Sequence, residues 1–274
     1  MPKTRKIAVT GATGRLGRHV VDVLEAQGHD VVAISRSTGV DVVSGEGLTE
    51  ALTGVECVID AATQPLPDQD AATAFFTAAA HNIQEVGARA GVQRIVLVSI
   101  VGTDRFTGGF LAAKFAHEQA MLAGPISVRI LRATQFHEFV PQMVEWGTQG
   151  EVVYVPKTRT QLVAARSVAE ALADLANGSE GVPRSNGAAI PEIGGPRAER
   201  LVEMARLLVS RREEKTRVEE VTNPADPDHE LLENGALLPG PDATLAGPTF
   251  EEWLHVPSDA RRSSPGRNNV EGER

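Results

Sequence analysis

The chain has 274 residues, 42% of them hydrophobic and 23% charged, with a formal net charge of −9. That length holds one large α/β domain with a sizeable core. The negative balance excludes nucleic acid and anionic membrane as partners held by charge alone. A single cysteine, Cys57, excludes an intramolecular disulfide and a cysteine-rich metal site.

In chain order, "RKIAVTGATG" is a short apolar run ending in glycine, and it predicts a strand within a few residues of the start. This opening has no signal-peptide pattern, and no run is long enough to span a bilayer. Leu16, Val20, Val23 and Leu24 then fall at helical spacing, and Gly28 stops that helix. "HDVVAISRS" predicts a second strand. "VECVIDAAT" and "QRIVLVSIVG" are continuous apolar strands of a sheet covered on both faces. Cys57 lies in the first of these, so it reads as an inert buried thiol, and a reducing cytoplasm fits. Between the two, Phe76, Ala79, Ile83, Val86 and Ala90 mark a long helix. "FLAAKFAHEQAML" predicts another helix and "ISVRILRA" another strand. Strands alternating with helices predict a doubly wound parallel Rossmann sheet.

After "RATQFHEF" the alternation loosens. "EVVYVP" and "TQLVAA" read as short strands, "SVAEALADLAN" and "RAERLVEMARLLVSRR" as helices, and "AAIPEIGG" as a strand with a turn. We expect one domain over 1–255, with a small C-terminal substrate cap built mainly from 136–165 and 188–255. The polar stretch 256–274 is expected to be a disordered tail. The sheet and cap leave room for a homodimer.

Gly11, Gly14 and Gly17 form G-x-x-G-x-x-G directly after the first strand and at the start of a helix. In that setting glycine lets the backbone approach a pyrophosphate, and the helix N-terminus offers free N–H groups. The alternative is a glycine turn without a ligand. An NAD site carries an acidic residue about 20 residues on. Here that place holds Ser35 and Arg36, with no carboxylate. An arginine pairs with a 2′-phosphate, which favours NADP(H) over NAD(H), unless Arg36 is only a solvated turn residue. Arg15 lies inside the loop. Asp41 either approaches the adenine or caps a turn.

"VTGATGRLGRHVV", "VLVSIVG", "FLAAKFAHEQ" and "ILRATQFHEF" together resemble the short-chain dehydrogenase/reductase superfamily, most of all its atypical NmrA-like branch. That branch includes NAD(P)H-dependent quinone-type reductases and redox-sensing regulators. The resemblance covers roughly residues 5–175. It implies a pyrophosphate loop of Gly11, Thr13, Gly14, Arg15, Leu16 and Gly17, and an adenosine-ribose position at Ser35 and Arg36. Ala61, Ala62 and Thr63 would follow the fourth strand beside the cofactor. Ser99 would follow the fifth strand and orient a substrate carbonyl. Lys114 would hold the nicotinamide ribose, and Ala133, Thr134 and Gln135 would follow the sixth strand at the nicotinamide.

The sequence departs from the family where a catalytic tyrosine would stand, because that position is Phe110. The chain's single tyrosine, Tyr154, lies far along in "EVVYVP". Phenylalanine donates no proton, and loss of a positioned acid costs about 10²–10⁴-fold. Acceptors that need no strong enzyme acid remain: a quinone, a conjugated enone or a polycyclic aromatic. Phe110, Gln135, Phe136 and His137 are the substrate-side candidates, and Ser99, Lys114 and His137 the catalytic ones. Each has a plainer reading, as a polar strand end (Ser99), a solvated helix lysine (Lys114) or a structural histidine (His137). Glu118, one turn beyond Lys114, reads as a surface bridge to it. His117 and His137 lack the further ligands that a metal site needs. The same chain suits a non-catalytic NAD(P)-sensing regulator, or a redox-neutral isomerase or cyclase.

Overall fold

The computed structural model describes residues 4–64, 68–178, 189–213 and 215–256. In chain order the first half comprises β1 (Lys6–Thr10), α1 (Gly17–Ala26), β2 (Asp30–Ile34), α2 (Leu48–Ala51), β3 (Cys57–Asp60), α3 (Gln69–Ala90), β4 (Arg94–Ile100), α4 (Gly109–Leu122) and β5 (Ser127–Ala133). The second half comprises α5 (Phe139–Gly147), β6 (Thr148–Gln149), β7 (Val152–Pro156), β8 (Arg159–Thr160), α6 (Ala165–Asn177), β9 (Glu192–Gly194), β10 (Glu199–Arg200), α7 (Leu201–Arg211), β11 (Arg217–Val221), α8 (His229–Glu233), β12 (Thr244–Leu245) and α9 (Phe250–His255).

The central sheet has seven parallel strands in the order β12-β9-β5-β4-β3-β1-β2. This is the doubly wound Rossmann arrangement expected from the alternating pattern. Strand residues split by parity between two cores. Ile7, Val9, Cys57, Ile59 and Val96 pack with α1 and α6. Ala8, Val58, Ile95, Leu97 and Ile130 pack against residues of α3 and α4. The order reverses between β1 and β3, and a ligand crevice opens at the carboxyl ends of such a pair.

One strand implied by the resemblance is missing. Residues 40–47 form turns, with Gly45 and Gly47 at positive φ, and only the short α2 precedes β3. The expected fourth, fifth and sixth strands are therefore β3, β4 and β5. Asp41 serves that turn, its carboxylate accepting from Val43 N at 2.7 Å.

The C-terminal part divides differently from the expected cap. Pieces of 188–255 join the main sheet as β9 and β12, because Arg132 and Ala133 of β5 pair onward with Glu192 and Ile193. The remainder forms a smaller layer, β6-β7-β11, packed with α5, α7 and α9 around Val140, Val153, Leu201, Val202, Phe250 and Trp253. From residue 257 the expected tail lies outside the described residues.

His137 joins this layer to the rest. It is fully buried, its Nε2 is 3.0 Å from the Pro248 carbonyl, and its ring lies 5.5 Å from both Phe250 and Trp253. It docks α9, and this geometry corrects the expectation that it faces a substrate. Burial pushes its pKa down to about 4, against the Pro248 hydrogen bond. The unfolded chain thus binds a proton, below its ordinary value near 6.5, that the folded chain refuses. Stability from this group is full above about pH 6.5 and is lost as pH falls toward 4. Between pH 7.5 and 5 the protein should lose about 2 kcal/mol more than His137→Phe does, as read from urea unfolding at each pH. Equal losses in the two proteins would contradict it.

Candidate active site

The glycine loop is shaped by backbone contact. Gly11 has φ +63°, and a Cβ there would lie 2.5 Å from the Ala61 carbonyl oxygen. A Cβ on Gly17 would lie 2.1 Å from the Gly11 carbonyl oxygen. Only glycine lets β1, the segment after β3 and the start of α1 converge this closely. Thr13, Gly14 and Arg15 are exposed, while Leu16 and Gly17 are buried beneath them. The first turn of α1 carries no acidic residue and no side-chain cap, so its partial positive charge is open to an anion. The residues present fit a dinucleotide pyrophosphate. A cleft of about 380 Å³ opens beside the loop, not over Ser99, lined by Arg15, Glu138, Gln142, Glu145 and Arg212 among others. Arg15 bonds Gln142 across it at 2.7 Å. At the end of β2, Ser35 starts a helical turn through Thr38, and Arg36 is exposed.

Strand ends on the α3/α4 face carry a polar row. The register pairs Thr10 with Asp60 and Ser99 with Arg132. Asp60 is buried. Its Oδ1 accepts from Thr10 Oγ1 and from Ala62 N at 3.0 Å, and its Oδ2 is in polar contact with His117 Nε2 at 3.0 Å. His117 Nδ1 lies 3.1 Å from Lys114 Nζ, which also donates to the Val98 carbonyl at 3.1 Å. Phe76 stacks on the His117 ring at 4.8 Å, and Lys114 Nζ sits 4.7 Å from the Phe76 ring centroid. The result is a buried relay, Thr10–Asp60–His117–Lys114.

Its electrostatics are consistent with one protonation pattern. Burial alone would raise the Asp60 carboxyl, but His117, Thr10 and Lys114 outweigh it and hold the pKa below its ordinary value. Burial, and then the Lys114 charge, lower His117, so the imidazole is neutral near pH 7. Burial pushes Lys114 down to about 8 against Asp60 and Glu118. A protonated Lys114 then donates to Nδ1, which leaves the imidazole proton on Nε2, 3.0 Å from Asp60 Oδ2 but not aligned for a hydrogen bond.

Lys114 is thus a buried lysine, only 6% exposed, and not a solvated one. Glu118 does not bridge to it. Glu118 is buried and takes Arg132 in two bonds of 3.0 and 2.8 Å, and Arg132 also reaches Asp104 at 3.0 Å. Ser99 is 2% exposed, and its Oγ has no hydrogen-bond partner among the described residues. Phe110 lies in the first turn of α4, 41% exposed, its ring centroid 5.6 Å from that of Phe76 in an edge-on arrangement. Tyr154 is half-buried on β7, in the other layer.

The segment after β5 turns inward. Ala133 is buried, Thr134 bonds the Gln161 carbonyl at 2.5 Å, and Gln135 accepts from Thr160 at 2.6 Å. Phe136 packs on the sheet core. After β3, Ala61 and Ala62 are buried against the glycine loop, and Thr63 is exposed. Sequence reasoning passed over Asp60 and considered His117 only as a metal ligand. The available signal was an acid ending an otherwise apolar strand, "VID".

The NAD(P)H-binding family profile matches residues 11–178. No curated protein matches the chain significantly in sequence. Similar solved structures include a GDP-6-OMe-4-keto-L-xylo-heptose reductase from C. jejuni, with TM-score 0.70, 13% identity, and 93% of this chain and 98% of that chain covered. A dTDP-4-dehydrorhamnose reductase from Bacillus anthracis str. Ames in complex with NADP has TM-score 0.64 and 17% identity, over 92% and 98%. MoeE5 in complex with UDP-glucose and NAD has TM-score 0.60 and 21% identity, over 88% and 89%. The fold is thus one that NADP-bound and NAD-bound proteins share, and with more than half of its length matched this chain belongs to the NAD(P)H-binding family.

Proposed function

We propose that the protein is an NADPH-dependent reductase of the atypical, NmrA-like kind, acting on a quinone-like, enone or polycyclic aromatic acceptor. The observation that carries this reading is the pairing of a glycine cradle fit for pyrophosphate with an exposed Phe110 ring where a phenolic acid would stand. When bound, the reduced nicotinamide supplies a hydride. Gly11, Thr13, Gly14, Arg15, Leu16 and Gly17 hold the pyrophosphate, and Ala61, Ala62, Thr63, Ala133 and Thr134 border the cofactor. Ser35 and Arg36 face the adenosine ribose. Lys114 uses two N–H groups inside the protein and has a third for the cofactor side.

Phe110 offers a flat wall to a planar acceptor, and Ser99 Oγ is a donor without a partner among the described residues. A conjugated acceptor would spread the charge that a hydride, with its two electrons, brings, and one proton from water would complete the product. A second reading has its own support. The inward-bonded Lys114 and buried Ser99 suit a regulator that binds cofactor without turnover.

NADPH consumption on addition of a quinone and enone panel tests the first reading. Cofactor binding with no turnover across the panel would instead support the second. Arg36→Ala should weaken NADPH about tenfold and leave NADH unchanged in fluorescence titrations, and equal effects on both would overturn the NADP preference. Phe110→Tyr restores a phenol four residues before Lys114 and should gain weak ketone reduction. Absence of any gain, with NADPH binding intact, would mean that Ser99 stands out of reach of the carbonyl.

A further inference from the structure

The relay joins three places that bear on the cofactor. Thr10 is the residue before Gly11 of the glycine loop. Asp60 is the residue before Ala61, whose carbonyl the loop touches. Lys114, on α4, connects to Asp60 through His117. We propose that Asp60 and His117 are positioning residues, which fix the Lys114 ammonium in place relative to the glycine loop through a single imidazole tautomer. The proposal rests on the reading that Lys114 serves the cofactor.

The geometry leaves His117 little freedom. Its ring is stacked on Phe76, one nitrogen faces a carboxylate, and the other faces an ammonium. Flipping the ring would set Cδ2–H against the ammonium and Cε1–H against Asp60 and so remove both polar contacts, while the other tautomer would set Nδ1–H against the ammonium and an unprotonated Nε2 against Asp60. Asp60 is itself pinned by Thr10 and Ala62 N. The charged groups around Lys114 are few. Asp60 faces it through His117 from β3, and Glu118 lies on its own helix. Beyond Glu118 stand Arg132 on β5 and Asp104 in the turn after β4. From α3 it meets the uncharged Phe76 ring, and from β4 the Val98 carbonyl.

Two amide substitutions separate the two halves of the relay. Asparagine at 117 places an acceptor near the former Nδ1, toward Lys114. Glutamine places its amide near the former Nε2, toward Asp60, and leaves Lys114 without its acceptor. The readout is the Lys114 titration in the cofactor-free protein, followed by lysine side-chain NMR and assigned with Lys114→Arg. NADPH affinity from pH 6.5 to 9.5 is measured in parallel. The wild-type midpoint is expected at about 8. His117→Asn should keep it within about half a pH unit, and His117→Gln should lower it by about one. NADPH affinity should weaken as the lysine deprotonates, and at lower pH in His117→Gln.

A merely structural histidine would lower thermal stability in both variants and leave the midpoint where it is. That result, or equal shifts in Asn and Gln, overturns the proposal. If wild type binds no NADPH, the cofactor reading fails, while the lysine titration still decides whether His117 sets the Lys114 proton.

Discussion

A carboxylate with no access to water must be answered by donors, because leaving it unpaired costs several kcal/mol. Asp60 is such a group, and the region around the crevice is arranged to answer it. Thr10 and Ala62 satisfy one oxygen, and His117 faces the other. Each of these fixes something further. Thr10 leads into the glycine loop, Ala62 sets the backbone against which that loop closes, and His117 draws Lys114 under Phe76. The demand of one buried charge therefore ties β1, β3 and α4 together at their cofactor ends.

A second carboxylate does comparable work at the N-terminus of α4. Asp228, in the chain before α8, accepts from Thr107 N at 2.8 Å, Gly108 N at 2.7 Å and Thr107 Oγ1 at 3.0 Å. Negative charge is favourable beside a helix N-terminus. Nearby, Gly102 at φ +72° passes the Ala236 carbonyl so closely that a Cβ would lie 2.1 Å from it. Phe106, Ala236 and Leu237 fill the space beneath. The late segment is thus bonded to the start of the helix that carries Phe110 and Lys114.

The fold was legible because its signals are local. Apolar strands, helical spacing and glycines after strands need no knowledge of distant partners, and they located β1 to β5, α1, α3, α4, α6 and α7. The sheet's outer edge was not legible, since β9 and β12 are short and read as cap until β5 offers them a register. The relay was hidden for a different reason. Asp60 and His117 are ordinary residues of an apolar strand and a helix, and only packing of α4 on β3 gives them meaning. Glu118 shows the same limit, because helical spacing points it to Lys114 while the fold supplies Arg132, a planar two-bond partner that better answers a buried carboxylate. His137 stood beside substrate candidates in sequence, yet α9 supplied a carbonyl and two rings that claimed it.

Phenylalanine at 110 and inward bonding of the lysine belong together. A tyrosine acid depends on a nearby ammonium to lower its pKa. Without that phenol, an exposed lysine has no proton donor to assist, and an acceptor inside the protein costs the chemistry nothing. His117 and Val98 are those acceptors. On the function proposed above, chemistry that draws no proton from residue 110 is what this arrangement would leave open, and an aromatic ring there would favour flat, conjugated partners over a saturated ketone.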